Sequence, residues 1–587
     1  MSDQKNLIIA IILCFVIIFG FQYFYEAPKL KSEQENQAAT TTTTSDASNA
    51  PTNVPGQAPA AATDAAKTDI PGAAIPNSVT RAESLTKAKR VQINTPSLNG
   101  SISLTGGRLD DLKLVKFRET IDPQSPEIKL LSPAGSPHPY YAEFGWSPAP
   151  GSTIKLPTAS TIWNTSGTEL TPEKPLELTW DNGEGLVFHR TISVDENYMF
   201  SVEQAVQNNT GSEVTLFPYG LISRHGTPKT ANFYILHEGP IGVLNDTLEE
   251  IDYDDLAEAG TKSFSSTGGW IGITDKFWLT ALVPDQKSKV KARFSYAPQG
   301  VRYQTDFLNQ DGVTAAPGSR AGITNHVFSG AKEVSVLDAD EKEYGISRFD
   351  LAIDWGWFYF LTKPIYFALE FLNGLIGNLG LAIMALTVII KLLLLPLAHK
   401  SYVSMSKMKR LQPEMVKLRE QYGDDKQKLN QEMMALYKRE KANPAAGCLP
   451  IMMQVPIFFA LYKVLFVTLL MRHQPFFGWI HDLSAPDPTT IFNLFGLIPW
   501  TPPQFLMIGL LPLLMGISMF LQQRLNPQPA DPIQAKIFMF MPIFFTYLLA
   551  HFPAGLVIYW TWNNILSMTQ QWFIMRRMGV SVSGQKT

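Results

Sequence analysis

Residues 380–397 read GLAIMALTVIIKLLLLPL, an 18-residue apolar stretch whose single charged side chain is Lys391. A helix of this length crosses the hydrocarbon core of a bilayer. A lysine near the middle of such a helix costs about 2.5–3.5 kcal/mol on insertion scales, so its presence needs a reason. The stretch therefore predicts a membrane span that carries a polar site around Lys391.

Further apolar stretches follow this one along the chain. They lie at about 447–470, 503–523, 536–551 and 555–575. Together with the first stretch they predict a core of five membrane helices within residues 379–577.

The amino terminus predicts a sixth span. Leu7–Tyr25 is apolar apart from Gln22 and ends in aromatic residues, not in the small residues of a cleavage site. We therefore interpret residues 1–26 as an uncleaved signal anchor with an aromatic belt at the interface. Residues 346–378 are aromatic and apolar but carry several charges, and they predict an amphipathic helix lying in the interface, not a seventh span.

The loop at 400–441 orients these spans. It carries 11 Lys and Arg against 6 Asp and Glu, whereas the loop at 472–502 has one Arg and two Asp. The positive-inside rule places the basic loop in the cytoplasm. With six spans, both termini are then cytoplasmic, including the short tail 578–587, and the large polar domain lies in the periplasm.

The basic loop predicts a cytoplasmic helical hairpin over 399–445. Pro413 suits a helix start, Gly423 a helix stop, and Asp424 or Asp425 a cap for the second helix. A net charge of +5 beside a membrane attracts anionic lipid or RNA-bearing partners. A solvated hairpin that packs only on itself is the alternative.

The polar middle of the chain predicts a periplasmic all-β sandwich domain over residues 81–345. Short alternating runs recur between turn signals, such as VQINT at 91–95, LVFHRTISV at 186–194 and MFSVEQAVQN at 199–208. Before it, residues 27–80 are rich in Ala, Thr, Pro and Ser, and they predict a flexible linker. The two cysteines fall in or beside apolar segments, so the domain has no disulfide.

Polar residues recur on the cytoplasmic side of the apolar segments. Thr387 lies one helical turn before Lys391, Gln454 lies a short distance inside the third span, and the last span carries Trp560 and Asn563. We interpret these five residues as a hydrophilic groove that opens to the cytoplasm and is closed towards the periplasm. Snorkelling of the lysine and amide hydrogen bonds between helices are the structural alternatives.

No catalytic signature occurs in the sequence. There is no P-loop, HExxH, G-x-S-x-G or metal-spaced cysteine set. The net charge of −3 gives no overall basic field for nucleic acid. We therefore expect no catalytic residue, cofactor or metal, and no enzyme activity.

Four motifs resemble one known family, the YidC/Oxa membrane protein insertases in their Gram-negative YidC form. They are GDDKQKLNQEMMALYKREKANPAAGCLP at Gly423–Pro450, QVPIFFALY at Gln454–Tyr462, WIHDLSAPDP at Trp479–Pro488 and FPAGLVIYW at Phe552–Trp560. The order of signal anchor, linker, β-domain and five further spans also resembles that family.

This resemblance implies a function. Such proteins insert and help fold inner-membrane proteins, alone or with the Sec translocon, and their clients are nascent membrane proteins. The family commonly has Arg at the position of Lys391, so the charge is kept here but a bidentate fork is lost. The resemblance also implies contacts with membrane lipids and, near the hairpin, with the ribosome or signal-recognition machinery.

Two other functional classes remain open on the residues alone. A solute transporter or channel with a periplasmic capture domain would need a polar path that reaches the outside. An assembly scaffold would use the β-domain as its main binding surface.

Overall fold

The computed structural model describes residues 79–578 except 231–235, 424, 441–448, 497, 499, 501, 504–505 and 527–531. The predicted signal anchor, the predicted linker up to residue 78 and the tail beyond Met578 lie outside the described residues. The described chain forms two compact units, one containing residues 79–356 and the other nearly all of the residues from 357 onwards.

The first unit is a β-sandwich with short helices. Its strands are β1 Arg90–Asn94, β2 Leu98–Ser103, β3 Arg108–Arg118, β4 Glu127–Leu131, β5 Tyr140–Pro148, β6 Glu169–Leu170, β7 Leu176–Asp181, β8 Leu186–Val194, β9 Met199–Asn208, β10 Val214–His225, β11 Gly239–Leu244, β12 Thr247–Glu250, β13 Thr261–Thr267, β14 Trp270–Thr274, β15 Trp278–Val283, β16 Lys289–Ala297, β17 Arg302–Asn309, β18 Val313–Ala315 and β19 Arg320–Ala331. One sheet has eleven strands along β13-β16-β17-β10-β5-β3-β2-β1-β6, with β18 beside β10 and β4 beside β3. The other has eight, in the order β12-β11-β14-β15-β19-β9-β8-β7. The predicted sandwich is confirmed.

Alternating side chains place the core between the sheets. Strand β8 alternates between buried and half-buried residues along its whole length, as the period of two requires. Two buried polar side chains of the smaller sheet reach carbonyl groups of the larger one. Arg190 donates to Phe144 O of β5 at 2.5 Å, and Gln204 Nε2 donates to Gly145 O of the same strand at 2.9 Å. Hydrogen bonds therefore join the two sheets as well as apolar packing.

The expectation of an all-β domain is wrong in one respect. Three helices accompany the strands, namely α1 Arg81–Thr86, α2 Tyr253–Ala259 and α3 Val334–Tyr344. Thr80 and Glu83 close a capping box on α1, and α3 buries Val334 and Leu337. Local capping and apolar residues at helical spacing thus outweighed the surrounding strand pattern.

The second unit is helical. Its helices are α4 Tyr359–Ile376, α5 Leu379–Leu393, α6 Leu395–Tyr422, α7 Lys426–Arg439, α8 Leu449–Val467, α9 Leu510–Leu525, α10 Pro532–Leu549 and α11 Ala554–Arg577. Helix α4 lies within residues 346–378, where an interfacial helix was expected, and it begins at Tyr359. It buries Thr362, Ile365 and Leu369 on one face and exposes large apolar side chains such as Phe360 and Phe371 on another.

The apolar stretch at 380–397 does not form one continuous helix. The helix ends at Leu393, and α6 continues after Leu394 at an angle of 71°. Pro396, in the first turn of α6, is the physical reason, because a proline ring clashes with the carbonyl group four residues earlier. Lys391 therefore lies in the last turn of α5 and not well inside a longer helix.

Six spans were expected. Among the described residues, no single helix is long and apolar enough to cross a membrane, and only α5 and α6 taken together across their bend reach that length and composition.

The hairpin has the predicted two helices but a different start. Asp425 caps α7 by accepting from the backbone N–H groups of Gln427 and Lys428, and α6 ends just before Gly423. Pro413, however, lies inside α6. The apolar stripe of α6 runs at helical spacing through this position, with Leu411 before it and Met415 after it, and both pack against α7. This packing offsets the loss of one helical hydrogen bond at the proline.

Candidate functional site

Lys391 is placed by the buried face of α5. This face carries Ala382, Ile383, Leu386 and Thr387 at helical spacing, and Lys391 lies one turn further along it. Its ammonium group therefore points at α11, where it donates to Ser567 Oγ at 2.8 Å. The structure thus connects the charge to a residue 176 positions later in the chain.

A row of buried polar residues on α11 receives this contact. It consists of Tyr559, Asn563, Ser567 and Gln571, four residues apart, and we call it the polar stripe. Residues at this interval form one ridge of a helix surface. Ser567 Oγ donates in turn to Asn563 O at 2.8 Å. Lys391, Ser567 and Asn563 therefore form one hydrogen-bonded chain.

Gln454 joins the same stripe at another level. Its Nε2 donates to Tyr559 OH at 2.8 Å. Tyr559 and Ser567 are eight residues apart, which is about 12 Å along the helix axis. Gln454 and Lys391 therefore contact the same helix but do not contact each other.

Trp560 has an apolar environment. Its ring lies 4.6 Å from that of Phe458 and 6.0 Å from that of Phe545, measured between centroids. It also packs against the buried cluster of Met515, Leu549 and Val557. The structure places Trp560 in a contact between helices, beside the stripe but not in it.

Thr387 is buried and bonded within its own helix. Its Oγ1 donates to Ile383 O at 2.7 Å, and 2 % of the residue is exposed. It lines the same face as Lys391 without a hydrogen bond to it.

The electrostatics of the site centre on one cation. In the part of the chain that the structure describes, no carboxylate pairs with Lys391, and one of its three protons has a partner, Ser567. Asn563 Oδ1 is buried and likewise has no partner among the described residues. The site therefore combines a positive charge with an amide acceptor.

The sequence argument missed Ser567. The four-residue spacing from Tyr559 to Gln571 is the signal that would have found it, because it puts all four side chains on one ridge. A single hydroxyl in an apolar helix is otherwise unremarkable, since serine commonly bonds to its own backbone.

Within the described residues, no three His, Cys, Asp or Glu side chains lie close enough together to hold a metal ion.

Comparison with known proteins shows the family. The YidC periplasmic domain matches residues 90–368, and the 60Kd inner membrane protein family matches residues 371–581. The membrane protein insertase YidC of Methylobacterium nodulans is 52% identical, over 99% of this chain and 96% of its own length. The chain belongs to the YidC family. The YidC of Beijerinckia indica is 49% identical over 99% of this chain and 97% of its own length.

Membership in the YidC family makes this an inner-membrane protein with a periplasmic domain. Among solved structures, the chain resembles an active YidC insertase crystallised with its first transmembrane domain resolved. That likeness covers 82% of this chain and 92% of the other, with 16% sequence identity and a TM-score of 0.34.

Proposed function

We propose that this protein is a membrane protein insertase and chaperone that receives nascent inner-membrane proteins, alone or with the Sec translocon. Relatives that this chain matches over nearly their whole length are named membrane protein insertase. The single observation that carries the mechanism is the contact between Lys391 and Ser567 on the polar stripe.

We propose the topology that the charge pattern favours. Residues 1–26 anchor the chain, 27–80 form a linker, and 81–345 fold in the periplasm. The core 379–577 holds five spans, its hairpin 399–445 is cytoplasmic, and so is the tail 578–587. The net charge of the loop at 400–441 supports this orientation.

In this proposal the site begins to act when a polar flank of the client enters. Lys391 attracts an acidic flank, because two unit charges about 4 Å apart attract by about 4 kcal/mol at an effective dielectric constant near 20, against about 1 kcal/mol in water. The position of Lys391 in the last turn of α5 stabilises its charged form, since a cation is favoured at a helix C-terminus.

Asn563 and Gln454 extend the same site. The buried Asn563 Oδ1 can accept from a peptide N–H of the client segment, which a purely apolar groove could not do. Gln454 holds Tyr559 at the other end of the stripe. The groove thus shortens the apolar distance that a polar flank has to cross.

The energy for insertion comes from the client. Burial of about twenty apolar residues in lipid provides roughly 25 cal/mol for each Å² removed from water, so no nucleotide is required. The proposed activity is therefore not a chemical reaction. A solute transporter is the alternative, and it predicts substrate uptake into vesicles that contain only this protein.

The test is insertion into liposomes that contain only the purified protein. A small single-span client with an acidic flank is added without nucleotide, and its protection from protease is measured. We expect Lys391→Arg to retain insertion, Lys391→Met to lower it and Lys391→Glu to lower it most. Lys463→Met, which removes a charge from α8, is the matched control.

Two outcomes would contradict the proposal. Protection at the level of empty liposomes would reject autonomous insertion. Equal protection with the Glu variant and the unchanged protein would reject a role for the charge at Lys391.

A further inference from the structure

Two adjacent cations of the hairpin contact the ends of two membrane-core helices. Lys409 and Arg410 lie in the middle of α6, outside the polar stripe. Lys409 is 4 % exposed and has no ion pair among the described residues, which is unusual for a buried lysine. Its surroundings therefore need an explanation of their own.

Lys409 caps the end of α9. Its Nζ donates to Arg524 O at 2.9 Å and to Leu525 O at 3.0 Å. These carbonyl groups belong to the last turn of α9, where no intrahelical N–H remains to satisfy them. The partial negative charge of a helix C-terminus also favours a cation there. Lys409 thus satisfies two carbonyl groups and complements the helix dipole.

Arg410 contacts the end of α11 in the same way. Its Nη2 donates to Met578 O at 2.8 Å, and Met578 is the C-cap residue of that helix. Successive residues of one helix point about 100° apart, so neighbours in sequence can reach two different partners. One short segment of the hairpin therefore holds the C-terminal ends of two helices.

The polar stripe reaches the same point. Gln571 Nε2 donates to Leu525 O at 3.0 Å and to Asn526 Oδ1 at 3.2 Å. The carbonyl oxygen of Leu525 thus accepts from both Lys409 and Gln571. Apolar contacts support the junction, because Tyr402 and Met405 of α6 pack with Ile574 of α11.

We propose that Lys409 and Arg410 form a clamp that fixes the hairpin against the ends of α9 and α11 and so sets its position relative to the polar stripe. Both are positioning residues: they act through the helices that they hold and not on the client. The clamp has two parts of different exposure, since Arg410 is exposed and Lys409 is buried.

The experiment measures the position of the hairpin directly. Spin labels are placed at Gln421→Cys, near the end of α6, and at Thr569→Cys on α11, both exposed, after Cys14 and Cys448 are replaced by Ser. The full-length protein in lipid should give one narrow distribution of distances between the labels.

We expect Lys409→Met to broaden this distribution and Lys409→Arg to restore it, because an arginine keeps the charge and the donors. The ratio of docked to undocked hairpin should fall about fivefold, which is the size of effect that a cation at a helix C-terminus has. Lys407→Met, two residues away and half-exposed, is the matched control and should change nothing.

Arg410→Met provides the same test from an exposed residue if the Lys409 variant does not accumulate. An unchanged distribution in Lys409→Met, or equal broadening in Lys407→Met, would overturn the clamp. Only the effect on insertion rests on the proposed function, and there Lys409→Met should lower client protection while Lys409→Arg preserves it. Broadening without any insertion activity in the unchanged protein would reject the insertase and leave the clamp standing.

Discussion

Asp340 makes the stability of the β-domain depend on pH. Its side chain lies on α3, and the residue is 3 % exposed. Burial, together with the nearby carboxylates of Asp195 and Glu343, raises its pKa from 3.8 to about 7. Its Oδ2 has no hydrogen-bond partner among the described residues. The ionised form is therefore disfavoured in the folded domain.

The direction of the pH dependence follows from proton binding. Between pH 4 and 7 the folded domain binds more protons at Asp340 than the unfolded chain does, so stability falls as the pH rises through this range. Each pKa unit corresponds to about 1.36 kcal/mol. Relative to low pH, the shifted pKa of Asp340 therefore lowers the free energy of unfolding by at most about 4 kcal/mol at pH 7.5 and about 1 kcal/mol at pH 4.5.

We expect Asp340→Asn to remove this penalty. The free energy of unfolding of the fragment 79–356 is measured in urea at the two pH values. The substitution should raise it by at least about 1 kcal/mol more at pH 7.5 than at pH 4.5. Asp338→Asn, which removes the same formal charge from the same helix, is the control. An equal change in stability at both pH values would refute the reasoning.

Three further predictions concern other parts of the molecule. Deletion of most of residues 81–330 should leave insertion in the liposome assay intact, because the groove residues lie elsewhere; loss of insertion at a normal protein level would contradict this. Burial alone would lower the pKa of His237, but hydrogen bonds to Asp252 and Pro240 O raise it. The stability that protonated His237 contributes is therefore present below pH 6.5 and is lost at higher pH. His237→Gln should therefore destabilise the β-domain at pH 6 more than at pH 9 in thermal unfolding. A double-mutant cycle of Gln454→Leu and Tyr559→Phe should give a coupling of about 0.6 kcal/mol, typical of such pairs in membrane proteins, and a coupling of zero would show that the contact contributes nothing.

Much of the fold could be predicted because local patterns dominate it. The runs at 186–194 and 199–208 alternate in sequence, and both are strands with those bounds, β8 and β9. Asp425 marks the start of α7 by its capping hydrogen bonds, and α6 ends just before Gly423. Such signals lie within a few residues of the structure they determine.

The errors occurred where a local signal competed with packing. Pro413 has the sequence signature of a helix start, yet α6 continues through it because apolar contacts with α7 persist on both sides. Pro396 was the opposite case, since an uninterrupted apolar run concealed a bend of 71°. Hydropathy does not distinguish a straight apolar helix from a bent one.

The sequence by itself determined that a lone lysine lies in an apolar helix, that a basic hairpin follows it, and that a β-domain precedes both. These are properties of composition and period, which each segment carries alone. Only the tertiary structure decided which groups meet. Lys391 donates a hydrogen bond to Ser567, Gln454 to Tyr559, and Lys409 to the end of α9. Such contacts join residues more than a hundred positions apart, and they depend on the rotation and displacement of whole helices, which no local pattern specifies.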